Sequence, residues 1–216
     1  MTYRKGSPVK EKLTRRLLPA GSALVAAAIV TGCIGEATPI PAERYYRVES
    51  TLPAGPDGGH AKSLKIVLEP VEAHGIYVES ALLHRSASAS AALEQYPYSS
   101  WSEPPDAMLG DVLLSDLRAA FGAMNAQTGA VSAAGQVRLK MRLRRLDQVI
   151  DGANAQAEFA ATYTAIDAKG EPLFVFDFDR RQAASGPSPK EFVEAVDTLV
   201  AQADRELIEK LRAEDR

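Results

Sequence analysis

The chain is 216 residues long, with 25 lysines and arginines against 28 aspartates and glutamates and a formal charge of −3. That length suits one domain of ordinary size rather than two, and the acidic balance disfavours nucleic acid and an electrostatic grip on anionic membranes. One cysteine, Cys33, leaves no intramolecular disulfide to form, so stability must come from a packed core.

In chain order the first feature is a basic front, Arg4, Lys5, Lys10, Lys12, Arg15 and Arg16 against one acid, Glu11. A mostly apolar run follows over residues 17–30, interrupted by Pro19, Gly21 and Ser22. This is signal-peptide length and short for a bilayer span. Val30, Thr31, Gly32 and Cys33 resemble the lipobox of bacterial lipoproteins, in which small residues let the backbone enter a peptidase cleft and the cysteine is acylated as the new N-terminus. Residues 1–32 are therefore read as a removed leader, Cys33 as the lipid-attachment residue, and residues 33–43, with Pro39 and Pro41, as a tether. A buried structural cysteine would need a core that a signal flank does not offer. An uncleaved anchor is disfavoured by Pro19 and by the shortness of the run. Removing the leader takes away six bases and one acid and leaves a charge of about −8. Each buried methylene contributes roughly 0.8 kcal/mol, so three acyl chains on one cysteine attach the protein permanently. Ile34 after the cysteine, where an aspartate would hold a lipoprotein at the inner membrane in enteric bacteria, favours the outer membrane.

The domain is expected over residues 44–216. Arg44, Tyr45, Tyr46, Arg47 and Val48 predict a first strand, broken by the turn cluster at residues 53–59. Leu64, Ile66 and Leu68 predict a strand with one buried face, and residues 75–84 a further strand. Residues 86–92 are low in complexity and read as a loop or a weakly formed element. Residues 93–101 carry Tyr96, Tyr98 and Trp101 in extended context, with Pro97 marking a sheet edge. After Pro104 and Pro105 a helix begins, its predicted buried stripe being Met108, Leu109, Val112, Leu113, Leu117, Ala120, Phe121 and Met124.

In the second half Val137, Leu139, Met141 and Leu143 alternate with Arg138, Lys140, Arg142 and Arg144, the cleanest two-residue period in the chain. Turns at residues 151–154 and 167–170 separate two more strands, centred on Ala157, Phe159, Ala161 and Tyr163 and on residues 173–179. Ser188, Pro189 and Glu191 form a capping box before a helix whose apolar face is Phe192, Val196, Leu199, Val200, Ala203, Leu207 and Leu211. The expected fold is α+β, a largely antiparallel sheet with two main helices packed on it, in the order strands, helix, strands, helix.

A lipobox, then Tyr45, Tyr46, Arg47 and Val48, then Tyr96, Trp101, Glu103, Pro104, Pro105, Met108 and Leu109 entering a long helix, together resemble the auxiliary lipoproteins of ABC-type transporters, the PqiC-like family. The resemblance covers nearly the whole mature chain. It implies an outer-membrane lipoprotein, facing the periplasm, that docks or tethers the MCE-domain protein of an ABC-type lipid transporter. Self-association around a tunnel-like partner also fits that family. A free-standing lipid- or small-molecule-binding lipoprotein is the competing reading, and it requires an apolar pocket between helices and sheet.

No residue pattern points to catalysis or to a cofactor. His60, His74 and His84 lack the spacing of a zinc site, and no GxSxG elbow or second cysteine is present. Asp177 and Asp179 on one side of a strand could hold a divalent ion or could form a solvated strand end paired with Arg180 and Arg181. Arg138, Lys140, Arg142 and Arg144 line one strand face and repel unless acids such as Glu158, Asp177 or Asp179 lie opposite; otherwise they offer an acidic partner or a lipid headgroup a docking surface. Tyr96 and Trp101 divide in the same way between core packing and partner binding.

Overall fold

The computed structural model describes residues 41–49, 52, 64–89, 91–129 and 136–214. The leader, Cys33, most of its tether, the 53–59 turn cluster and His60 lie outside them. Among the described residues the elements run β1 (Arg44–Tyr46), β2 (Lys65–Leu68), β3 (Ala81–Ser86), β4 (Glu94–Trp101), α1 (Pro105–Phe121), β5 (Ala126–Thr128), β6 (Gln136–Asp151), β7 (Asn154–Ile166), β8 (Pro172–Ala184) and α2 (Pro189–Glu214).

β6 organises the sheet. β7 pairs with it antiparallel along nearly its whole length, and β8 continues antiparallel beyond β7. On its other side β2 takes the start, Lys65 opposite Gln136, and β3 takes the end, His84 opposite Gln148, both running parallel. Between them Glu72 bridges to Arg142. β5 flanks β2 and β1 flanks β4, again parallel, while β3 and β4 are antiparallel. The sheet is thus mixed, which corrects the largely antiparallel expectation. Tight turns force antiparallel pairing only within β6, β7 and β8. β2 and β3 precede α1 and meet β6 across long connections, which permit parallel neighbours.

Burial follows the two periods. Val137, Leu139, Met141 and Leu143 of β6, with Phe159, Ala161 and Tyr163 of β7 and Phe176 and Phe178 of β8, pack into one cluster with the stripes of both helices. Past Leu143 the register of β6 shifts at Arg144 and Arg145, and the extra residue returns Leu146 to the interior. β2 is buried at Ile66, Val67 and Leu68, so both its faces are covered and not one as the alternation implies. Residues 75–84 do not form a single strand. Gly75, at φ +63°, opens a 3-10 turn over Gly75–Val78, and the strand starts only at Ala81.

α1 buries Met108, Leu109, Val112, Leu113, Leu117 and Phe121, while Asp111, Ser115 and Arg118 are exposed. Met124 is 90% exposed, contrary to the predicted stripe. Gly122, at φ +96°, ends the helix with its N–H bonded to the Arg118 carbonyl, so Met124 lies in the turn beyond. α2 opens at the capping box: the Ser188 N–H donates to Glu191 Oε2 at 3.0 Å, and its hydroxyl donates to the same carboxylate. Every residue of its predicted apolar face is buried.

Candidate functional site

Charged side chains collect on the sheet face away from the helices, in two groups that β6 connects. Near the start of β6 stands the basic ridge. Glu69, just past β2, takes Arg138 at 3.6 Å and Lys140 at 3.3 Å. Arg144 reaches Asp177 of β8 at 3.4 Å and the Phe178 carbonyl at 3.3 Å. Arg142 is exposed, and no ion pair engages it among the described residues. Two acids therefore face four bases: Arg138 and Lys140 share Glu69, Arg144 has Asp177, and the excess positive charge lies on the shared pair and on Arg142. Of the three acids expected opposite the ridge, only Asp177 pairs with it, and Glu69 takes the place of the others.

Glu158 and Asp179 serve the second group, where Arg145, turned by the bulge, meets both at 3.5 Å. Glu158 is only 1% exposed and also receives Arg85 of β3 at 2.5 Å and Arg181 of β8 at 2.6 Å. Asp147, equally buried, accepts from Arg85 Nε and from the Tyr77 hydroxyl, each at 2.9 Å. Burial raises the Asp147 pKa, and the hydrogen bonds from Arg85 and Tyr77 oppose that rise. Three arginines match three carboxylates across four strands. This group is electrically closed, and its geometry is that of a polar weld rather than of an open site. Arg85, Tyr77 and Asp147 escape the sequence reading, which has no way to align β3 with β6.

The aromatic candidates lie elsewhere. Trp101 is 2% exposed, with its ring centroid 6.0 Å from that of Phe192 at the start of α2. Tyr96 is half-buried; its hydroxyl meets the Gln148 amide and, at 2.9 Å, the Pro187 carbonyl. The hydroxyl thus donates its one proton between two acceptors, Gln148 Oε1 and the Pro187 carbonyl. Burial pushes the Tyr96 pKa up to about 12. His84 packs on the Tyr96 ring at 4.3 Å. Asp177 accepts the Thr162 hydroxyl at 2.6 Å in addition to Arg144, and Asp179 is occupied by Arg145, so both act as paired strand-face acids. The structure thus gathers Arg138, Lys140, Arg142 and Arg144 on one face and puts Tyr96 and Trp101 in the packing around β4 and α2.

A second polar feature lies on the helices. Asp116 of α1 and Asp204 of α2 are each 1% exposed and lie close together, with the Tyr163 hydroxyl of β7 beside Asp204. Asp116 also lines a cleft of about 180 Å³ with Ala119, Ala120, Arg205, Ile208 and Arg212. The signal was available in the sequence: Asp116 follows Val112 by four, and Asp204 follows Val200 by four, which puts both acids inside the apolar stripes.

A family model described as ABC-type transport auxiliary lipoprotein component matches residues 46–207. No curated protein matches the chain. Among solved structures, an uncharacterized protein superposes with a TM-score of 0.63 at 12% identity, covering 78% of this chain and 98% of its own. A protein from Xanthomonas campestris gives 0.60 at 17% identity, over 79% of this chain and 92% of its own. At such identities the likeness is one of fold.

Proposed function

Since the chain belongs to the family of ABC-type transport auxiliary lipoprotein components, we propose that acyl groups on Cys33 hold it at the outer membrane, where it docks the periplasmic MCE-domain protein of a lipid transport system. The family match over residues 46–207 carries this reading. The lipobox-like sequence ending in the chain's single cysteine supports the anchor. Among the described residues no helix is long and apolar enough to cross a membrane. The mechanism is tethering: confinement beside the membrane raises the effective concentration of the docking face for a partner arriving across the periplasm.

The interior favours docking over carrying. Between helices and sheet stand Trp101, Phe159, Tyr163, Phe178 and Phe192, each 2% exposed or less, so an acyl chain would have to displace core side chains to enter. Arg142 and Arg144 are the residues assigned to the docking face. Arg142→Glu combined with Arg144→Glu is expected to weaken capture of the MCE-domain protein and to flatten its salt dependence, because exposed charges act through long-range attraction. Unfolding free energy should change by no more than about 1 kcal/mol, since the one ion pair lost is exposed. A pull-down across a salt series, paired with urea melts, reads both. Unchanged capture together with lost stability would make the ridge a sheet-pairing device only. Intact mass of the membrane-extracted protein tests the anchor, the expected species beginning at acylated Cys33.

A further inference from the structure

Exposed apolar side chains gather at one corner of the sheet. Of the large ones among the described residues, Tyr45, Val78 and Tyr98 all belong there, while Met124 and Val175 lie elsewhere. Tyr45 stands opposite Ser100 of β4, and Ser100 stands opposite Ala81 of β3. Val78 precedes Ala81 by three residues, and the Ser80 carbonyl between them accepts the Trp101 N–H at 2.7 Å. Tyr98 precedes Ser100 by two, which sets it about 8 Å from Tyr45 by ordinary strand spacings.

The backbone goes to some length to expose Tyr98. Between the Leu83–Gln95 and Ala81–Ser100 pairs, Leu82 of β3 faces residues 96–99 of β4, a wide bulge. Inside it Tyr96 turns in toward Gln148, while Pro97 and Tyr98 stay outside. Tyr98 has φ +55°, the one positive value at a non-glycine among the described residues. A bulky side chain rarely adopts that conformation, and strain of this kind collects where a surface is used.

The place of the corner in the chain names its occupant. β1 is where the chain arrives from Cys33, and residues 34–43 reach at most about 36 Å when fully extended. We infer that Tyr45 and Tyr98, with Val78 beside them, rest in the interfacial zone of the bilayer that holds the Cys33 acyl groups. This rests on the reading of Cys33 as the anchor. Phenol rings suit that zone, because the ring meets the acyl boundary while the hydroxyl stays among headgroups. The contact turns a protein on a string into one with a fixed orientation. The charge around the corner is mixed: Arg44 and Arg47 stand with Glu43, which accepts the Tyr45 hydroxyl at 2.6 Å, and Glu103, which pairs with Arg47. The contact therefore rests on the apolar side chains and should weaken little in salt.

The test uses the acylated mature protein, beginning at Cys33, in phosphatidylethanolamine and phosphatidylglycerol vesicles. Cys33 is blocked by its lipid, so Ser102→Cys places one environment-sensitive dye beside the corner, and Val175→Cys places one on the opposite edge strand. The Ser102 probe is expected to shift to the blue and to be quenched by nitroxide lipids, nearly equally at low and high salt, while the Val175 probe reads water. Tyr45→Ser with Tyr98→Ser should abolish the shift, and Tyr45→Phe with Tyr98→Phe should keep it, circular dichroism showing both variants folded. A Ser102 probe that reads water on protein whose mass confirms acylation overturns the docking and leaves the anchor standing. A mass without acyl groups overturns both. A blue shift that appears without vesicles and grows with protein concentration assigns the corner to a second copy and also overturns the inference.

Discussion

Replacing Trp101 with alanine is expected to lower the unfolding free energy by about 3–5 kcal/mol, the range for emptying a fully buried aromatic site. The residue closes β4, donates its N–H to Ser80, and packs against Phe192 in the first turn of α2. Phe192 is in turn held by the capping box, since Glu191 beside it accepts from Ser188. The cavity would therefore open where the edge of the sheet meets the helix start, and a rigid capped helix cannot easily collapse into it. A loss of that size is a large share of a typical domain stability of about 5–15 kcal/mol. Trp101 is the chain's single tryptophan, so the melt must be followed by circular dichroism rather than by indole fluorescence. Trp101→Phe should recover most of the loss by refilling the volume with a ring. Unaltered stability in Trp101→Ala with weakened partner capture would place the residue in the docking surface instead.

What could be read from the sequence is what local period and local chemistry control. The alternation from Val137 to Leu143 reports a half-buried strand because one face meets the helices and the other meets water, and Ser188, Pro189 and Glu191 mark a helix start whose hydrogen bonds span only three residues. The choice of neighbours is not local. β2 could pair with β6 in either direction as far as its own residues show, and the direction follows from how the chain passes around α1. Residues 75–84 look strand-like in composition, yet none of the 3-10 turn at Gly75–Val78 is buried, so packing does not enforce extension there. The basic ridge was visible as a row of like charges, but its partner Glu69 sits across a parallel pairing that the row does not reveal. Asp116 and Asp204 interrupt apolar patterns, and the usual expectation that acids are solvated hides them.

Lowering the pH from 8 toward 5 is expected to stabilise this domain, the reverse of ordinary acid denaturation. Asp204 is buried between α1 and α2 with Asp116 beside it. Burial first, then the neighbouring carboxylate and its hydrogen bond, hold the Asp204 pKa well above the usual range, against the opposing hydrogen bond from Tyr163. Asp197, partly buried near Glu49 and Glu194, is raised to about 6, mainly by burial. In both cases the folded-state pKa exceeds the unfolded value of about 3.9. The native state therefore binds more protons between those values, and stability grows as pH falls through the folded pKa toward the unfolded one, by up to about 1.4 kcal/mol per pH unit for each group. Asp197 contributes from about pH 6 downward, and Asp204 from its own raised pKa. Asp167 and Glu191 have lowered pKa values and pull the other way only near their own titration at lower pH. Asp204→Asn supplies permanently the arrangement that protonation supplies in the wild type, an acceptor for the Tyr163 hydroxyl and a donor toward Asp116. The variant should be more stable than wild type at pH 8 and should lose the share of pH dependence due to Asp204. Urea melts at pH 5, 6, 7 and 8 on both proteins decide it: a wild-type stability that falls toward pH 5, or a variant that keeps the full slope, would mean that burial between the helices does not hold Asp204 protonated in the folded state.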